Sequence, residues 1–201
     1  MANQSLCIIP TPKQVHLEAG SFALDEHTWI ALLPEANEED AFAAQLLQEE
    51  IKELTGLHLN IVKLAKLPRK ENFILLFGNT KAAEAYLGET WSWKEELPKK
   101  GEQAYILEIT PKRVVAGGEG SLALFYASQT LRLLTRSERS RWPACQVLDW
   151  PSLPYRGLML DISRGKVPTI ETLELLIDQL SLYKINVLQL YTEHTFVFPH
   201  H

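Results

Sequence analysis

The chain has 201 residues, 20 of them Lys or Arg and 25 Asp or Glu, so its formal net charge is -5. This balance provides no cationic excess for a nucleic-acid surface, and no apolar run approaches the roughly 20 residues of a membrane span. The length suits one sizeable core, or one domain and part of a second.

The first 150 residues predict helices interspersed with a mixed sheet. Short extended stretches precede a helix that begins after Asn37, a favourable N-cap, and ends at Gly56, where a left-handed residue is expected. Spacings of three and four place its apolar residues on one face: Phe42, Leu46, Leu47, Ile51 and Leu54.

The pattern then alternates between strands and helices. Two strands, a short helix, an antiparallel strand pair, a long helix and a final strand are predicted in "LHLNIVK", "NFILLFG", "NTKAAEAYLG", "EQAYILEITPKRVVAGG", "SLALFYASQTLRLLTR" and "PACQVLDW". We therefore predict an α+β sandwich.

Pro151 and Pro154 interrupt regular structure and predict a boundary between a domain of residues 1–150 and a second of residues 151–201. Beyond it, "RGLMLDI" and "NVLQLY" predict parallel strands joined by a helix with Thr169 as N-cap. The helix should bury Ile170, Leu173, Leu176, Ile177, Leu180 and Tyr183. Two strands and one helix cannot cover both faces of such a sheet, so we expect further chain.

This second segment resembles the start of the catalytic barrel of glycoside hydrolase family 20, the β-N-acetylhexosaminidases. The family's first barrel strand has the form R-G-x-x-L-D-x-x-R, present as residues 156–164, and its second is entered through K-x-N-x-L, present as residues 184–188. An Ile-Asp pair lies between them at residues 177–178. Residues 117–134 and 143–157 are similar to the end of the family's N-terminal domain and to its linker strand.

The resemblance implies a zincin-like N-terminal domain followed by a truncated (β/α)8 barrel. The enzymes release terminal N-acetylhexosamine with retention by substrate-assisted catalysis, using an adjacent Asp-Glu pair on the fourth barrel strand. On this reading the chain is a truncated fragment without that pair and is itself inactive. The implied partner is an N-acetylhexosamine-containing glycan, with no cofactor and no metal, since His-Glu-x-x-His does not occur.

Five residues are predicted to bind substrate. By resemblance, Arg156 should hydrogen-bond sugar hydroxyls, with a domain-interface role as the alternative. Asp161 and Arg164 should lie at the C-terminal end of the first barrel strand, either contacting the sugar or forming an ion pair that shapes the rim. Glu193 and His194 follow the second strand, where family members commonly carry His-x-His and an acidic pair. In a complete barrel they could handle a proton at its mouth, whereas in this fragment both are expected to be solvated.

One alternative concerns the function of the chain. A standalone carbohydrate- or protein-binding module is the other reading, and in that case the exposed barrel segment should be shielded, for example in a homodimer. The N-terminal residues lack the pattern of a signal peptide, so we expect a cytoplasmic protein. Cys7 and Cys145 lack metal-type spacing and should be reduced.

Overall fold

The computed structural model describes residues 6–63, 71–87, 93 and 95–193. The chain divides into two compact units, Met1–Ser152 and Leu153–His201. The α+β class predicted from the sequence is confirmed, with a large sheet and four α-helices. None of the helices in the described ranges has the length and apolar character needed to cross a membrane.

Unit 1 is built on a seven-stranded mixed sheet, and its strands are β1 Gln14–Ala23, β2 Trp29–Leu32, β3 Asn60–Lys63, β4 Phe73–Phe77, β5 Tyr105–Ile109, β6 Arg113–Gly118 and β7 Arg141–Asp149. The spatial order is β1-β7-β5-β6-β4-β2-β3. β6, β4, β2 and β3 run parallel, whereas β5 and β7 pair antiparallel with their neighbours. The predicted antiparallel pair in residues 102–118 is therefore confirmed as β5 and β6.

Three helices connect these strands: α1 Glu38–Thr55, α2 Thr80–Leu87 and α3 Ser121–Glu138, with a short 3-10 helix at Leu97–Lys100. The predicted ends of α1 are confirmed. The Asn37 side chain accepts a hydrogen bond from the amide of Asp40, the Asp40 carboxylate accepts one from the amide of Asn37, and Gly56 is left-handed. These caps explain why the helix begins and ends where the sequence indicates.

The buried face of α1 differs from the prediction. Leu47 and Ile51 are buried as predicted and Leu46 and Leu54 are half-buried, but Phe42 is 54% exposed; the other buried residues of α1 are Asp40, Ala43, Ala44 and Glu50. α1 packs against α3, where the Glu50 carboxylate lies 2.8 Å from Nη2 of Arg132 and 2.5 Å from Nε of Arg136. Burial disfavours ionisation of Glu50, but hydrogen bonds from Arg136 and Arg132 outweigh it and lower the pKa of the carboxyl.

The sheet of unit 1 is covered on both faces. Every second side chain of β2, β4 and β6 points to the same face of the sheet. On that face Ala31, Leu75 and Val115 belong to one buried cluster with Ala83 of α2 and Leu97. α3 lies on the other face, where its Thr130 bonds the hydroxyl of buried Tyr105 at 2.6 Å. All five residues of β4 are buried, as expected for a parallel strand covered on both sides.

One glycine shows how tightly these strands approach. Gly117, paired with Phe77 of β4, has a φ of 153°. A Cβ at this position would lie 1.9 Å from the carbonyl oxygen of Phe77. Only glycine therefore fits this point of β6.

Unit 2 contains β8 Gly157–Asp161, α4 Ile170–Leu182 and β9 Val187–Tyr191. The two strands pair in parallel from Gly157↔Val187 to Asp161↔Tyr191, which confirms the predicted arrangement. Thr169 caps α4 by accepting a hydrogen bond from the amide of Thr172, also as predicted.

The predicted buried stripe of α4 is only partly correct. Leu173, Leu176 and Leu180 are partly buried, but Ile170 is 71% exposed and Ile177 is 51% exposed. Leu182, which the helical spacing did not select, is fully buried. A two-stranded sheet offers too little surface to cover the whole stripe, so part of the apolar face is left in solvent.

Candidate functional site

The C-terminal ends of β8 and β9 bring together polar residues from both strands. The last pair of the ladder is Asp161 and Tyr191, and the amide of Ile162 donates to the carbonyl oxygen of Tyr191 at 3.0 Å. The loop after β8 therefore starts in a fixed position beside the end of β9. In α/β barrels this end of the strands carries the active site.

Asp161 organises the loop that follows β8. Its Oδ1 accepts hydrogen bonds from the amide of Ser163 at 2.9 Å and from the Ser163 hydroxyl at 2.8 Å. Its Oδ2 accepts from Nε of Arg164 at 3.0 Å. The amide and hydroxyl of Ser163, with a smaller contribution from Arg164, lower the pKa of Asp161, so this carboxylate stays ionised at neutral pH.

Arg164 lies between the two strand ends. Its Nε is 3.8 Å from Oε2 of Glu193, and its guanidinium carbon is 5.7 Å from the centre of the Tyr191 ring. The side chain of Arg164 is 64% exposed, with Asp161 at 34% and Glu193 at 40%. A cation flanked by two carboxylates is therefore held in place and open to a ligand.

The N-terminal ends of the same strands are joined by Arg156. Its Nε donates to the carbonyl oxygen of Lys184 at 2.8 Å and its Nη1 to that of Leu153 at 2.6 Å. Asn186 donates from Nδ2 to the carbonyl oxygen of Pro154 at 2.8 Å. Lys184 itself is left-handed, with a φ of 61°, and is buried.

The structure thus gathers Asp161, Arg164 and Glu193, and places Arg156 elsewhere. Arg156 precedes β8, and its guanidinium donates to backbone carbonyls at the opposite end of the strands, so its sugar contact stays a prediction. His194 lies outside the described residues. The Glu193–His194 pair therefore stays a prediction.

Sequence reasoning missed Ser163 and Tyr191. Ser163 follows Asp161 by two residues, the spacing at which an Asp side chain bonds the backbone ahead of it, so a local signal was available. Tyr191 had no such signal, since its position beside Arg164 depends on the pairing of the strands.

The groups at these strand ends can donate and accept hydrogen bonds. Among residues 6–63, 71–87, 93 and 95–193, no group of three or more His, Cys, Asp or Glu side chains is arranged to hold a metal ion. A guanidinium donates only, and carboxylates accept only. Together they match the hydroxyl groups of a sugar, which donate and accept.

Comparison with known families decides the identity of the chain. Residues 6–150 match the model of glycosyl hydrolase family 20, domain 2, and residues 153–199 match the model of the catalytic domain of the same family. The chain belongs to glycosyl hydrolase family 20. The family resemblance inferred from the sequence motifs is confirmed.

Family 20 proteins with curated names are similar to the chain over most of its length. A β-hexosaminidase of Porphyromonas gingivalis is 28% identical over 193 residues, which are 92% of this chain and 22% of that protein. The N,N'-diacetylchitobiase of Vibrio harveyi is 29% identical over 93% of the chain and 18% of its own length. The 201 residues therefore span about a fifth of these family 20 relatives.

A solved family 20 structure supports the fold. The exo-β-N-acetylglucosaminidase of Vibrio harveyi, crystallised with N-acetylglucosamine, matches 94% of this chain and 26% of its own with a TM-score of 0.70. The sequence identity is 23%, so the likeness concerns the fold alone.

Proposed function

We propose that this chain supplies part of the sugar-binding site of a retaining family 20 glycosidase that removes terminal N-acetylhexosamine from glycans. The observation that carries the proposal is the convergence of Asp161, Arg164 and Glu193 at the C-terminal ends of two parallel strands. This is the end at which barrels of this architecture hold their substrates. The match of residues 153–199 to the family's catalytic domain favours a hydrolase over a standalone binding module.

In this proposal Arg164 is the principal sugar ligand. Its Nε is engaged by Asp161, which fixes the orientation of the guanidinium plane. The remaining N–H donors of the fork bond hydroxyl oxygens of the terminal sugar. The carboxylate of Glu193, which balances the charge of Arg164 at 3.8 Å, accepts a hydrogen bond from a neighbouring hydroxyl.

Arg156 has a different task in the proposal. Its contacts with the carbonyl oxygens of Lys184 and Leu153 hold the N-terminal ends of β8 and β9 together. Because strand register is set at this end, Arg156 acts on the sugar site only through the positions of Asp161 and Tyr191.

The family resemblance suggests the chemical step. The 2-acetamido oxygen of the substrate attacks the anomeric carbon, while an adjacent Asp-Glu pair holds the acetamido group and protonates the leaving oxygen. Residues 153–201 contain no adjacent Asp-Glu. We therefore propose that these 201 residues alone do not hydrolyse glycosides, that unit 2 is the opening of a (β/α)8 barrel, and that unit 1 has the zincin-like topology.

The proposal is tested with a chimera. Residues 1–193 are joined to the remaining barrel segment of the Porphyromonas gingivalis β-hexosaminidase, and hydrolysis of 4-nitrophenyl N-acetyl-β-glucosaminide is measured. We expect the chimera to hydrolyse this substrate and the isolated chain not to hydrolyse it. Arg164→Ala in the chimera should lower kcat/KM about 10- to 100-fold, because hydrogen bonds from a charged group to the sugar hydroxyls are lost.

Lys166→Ala is the matched control, because Lys166 is an exposed cation two residues further along the same loop. It should leave kcat/KM unchanged. Arg164→Lys should recover only part of the loss, since an ammonium lacks the planar fork. Turnover by the isolated chain, or a folded Arg164→Ala chimera as active as its parent, contradicts the proposal.

A further inference from the structure

Unit 1 has a cavity of about 190 Å³ at the C-terminal ends of its parallel strands. The loops that leave β2, β4 and β6 meet there through Leu33, Gly78 and Gly120, and each leads into the N-terminus of a helix. The carboxyl ends of parallel strands are the preferred place for ligands in open α/β sheets. The cavity belongs to unit 1, whereas β8 and β9 belong to unit 2, so the inference below does not depend on the proposed hydrolase.

The cavity contains a buried carboxylate oxygen without a partner. Asp40 is only 6% exposed and lines the cavity. Its Oδ2 accepts from the amide of Asn37 at 3.2 Å, but its Oδ1 has no hydrogen-bond partner among the described residues. A buried acceptor without a hydrogen bond destabilises the fold by its lost hydration free energy, and a ligand that donates a hydrogen bond to it would recover part of that free energy.

Donors for the same ligand are available at the start of α3. The N-termini of α1 and α2 are capped by the side chains of Asn37 and Asn79. α3 has 18 residues, and its N-cap is Gly120, which has no side chain to bond the amides of the first turn. Ser121, the first residue of α3, also lines the cavity.

These two features together define the chemistry of the ligand. An anion is disfavoured by the carboxylates of Asp40 and Glu35, both of which line the cavity. A cation is disfavoured by the positive ends of three helix dipoles. A neutral hydroxyl group suits the acceptor and the donors of the cavity, because it donates to Oδ1 of Asp40 and accepts from the amides of α3.

A mostly apolar groove of about 460 Å³ shares the lining residue Ser121 with the cavity. Phe42, Leu122 and Phe125 line it together with Glu38 and Glu39, and Phe42 is 54% exposed. Pyranose rings have apolar C–H faces that pack on such side chains, while their hydroxyls need polar partners at the edge. The groove therefore extends a hydroxyl-binding cavity by a surface suited to the next ring.

We propose that the cavity and groove form a non-catalytic site for a neutral pyranose oligosaccharide, in which one hydroxyl bridges Oδ1 of Asp40 and the N-terminus of α3. The site lies wholly in unit 1. It would hold a glycan chain independently of any hydrolysis.

The test is an NMR titration of the ¹⁵N-labelled 201-residue chain. The probes, added separately, are the β-1,4-linked trimer of N-acetylglucosamine, maltotriose, inorganic phosphate and Ca²⁺. We expect saturable shifts at the amides of Gly78, Ser121 and Leu122 with at least one of the two trisaccharides. Shifts at these amides with phosphate or Ca²⁺ alone, or with none of the probes at tens of millimolar, overturn the proposal.

Three variants locate the site. Asp40→Asn keeps the shape and puts an amide where the acceptor was, and should weaken Kd about tenfold or more. Gly78→Ala places a Cβ 3.3 Å from Oδ1 of Asp40 and should block the cavity while keeping the charge. Phe42→Ala should weaken binding through the groove.

Leu17→Ala, a 43% exposed apolar residue on β1, is the control and should bind like the parent chain. The same spectra report whether each variant is folded. If Asp40→Asn does not fold, Gly78→Ala and Phe42→Ala test whether the cavity and groove bind the trisaccharide. Folded variants that all bind like the parent overturn the proposal. The proposal is also overturned if the trisaccharides shift only the amides around Arg164. That outcome would support the site of unit 2 and show no binding at Asp40.

Discussion

The amide of Arg156 donates to Oδ1 of Asn186 at 2.8 Å, and the amide of Asn186 donates back to the carbonyl oxygen of Arg156 at 2.9 Å. This reciprocal pair joins the residues that immediately precede β8 and β9. The amide of Val187 bonds the same Arg156 carbonyl at 3.1 Å. The two residues thus set the register that brings Asp161 beside Tyr191 at the other end of the strands.

We predict that Arg156→Ala destabilises the β8–β9 pair by about 1–2 kcal/mol, because partly exposed hydrogen bonds from a charged group are lost. Hydrogen exchange at the amides of Leu158 and Leu188 is the measurement, and exchange there should accelerate. Lys166→Ala, which removes an exposed cation from the same unit, should leave it unchanged. Unaltered protection in Arg156→Ala, combined with lost sugar binding, would instead favour direct contact of Arg156 with substrate.

The ion-paired Glu50 predicts a pH-dependent stability. Its pKa is lower in the folded chain than the ordinary value of 4.5, so its contribution is fully present above that value and declines as the pH falls through and below it. Glu50→Gln should cost about 2–3 kcal/mol at pH 7, when Arg132 and Arg136 lose this carboxylate, and clearly less near pH 3. Urea unfolding at several pH values measures the difference.

Glu53→Gln is the matched control for Glu50→Gln, because Glu53 is an exposed acid on the same helix. It should change the free energy of unfolding little at any pH. A Glu50→Gln deficit of equal size at pH 7 and pH 3 would show that packing rather than charge is the source.

The two cysteines should react at very different rates with a thiol reagent. Burial raises the pKa of Cys145 to about 12, with a further contribution from the charge of Glu18, and its side chain is inaccessible. Cys7 is exposed. At pH 8 in native buffer we expect one thiol to be labelled, and both after denaturation. Mass spectrometry of the labelled peptides identifies the site, and rapid native labelling of Cys145 would contradict the burial of β7.

Exposed apolar residues of unit 2 predict self-association of the isolated 201-residue chain. Met159 is 61% exposed, Leu175 61% and Leu190 41%. Such a surface favours a homodimer or a larger assembly. Light scattering should give a mass above that of the monomer, and Met159→Ser with Leu190→Ser should lower it. A monodisperse monomer at high concentration would contradict this prediction.

Features that depend on neighbouring residues were predictable from the sequence. The caps of α1 and α4 were correctly predicted, because a helix terminus is satisfied by side chains one to three positions away. The parallel pair β8 and β9 was also predicted correctly, since a strand-helix-strand pattern with apolar strands allows little else.

Only the tertiary structure decided that Glu50 rather than Phe42 is buried on α1, and what Arg156 contacts. Glu50 lies inside because two arginines more than 80 residues away neutralise it, and Phe42 is left outside. Arg156 donates to a carbonyl 28 residues along the chain, at the end of the strands opposite Asp161 and Arg164. Local pattern determines how each element begins and ends, whereas the partners of a long polar side chain depend on distant residues that only folding brings within reach.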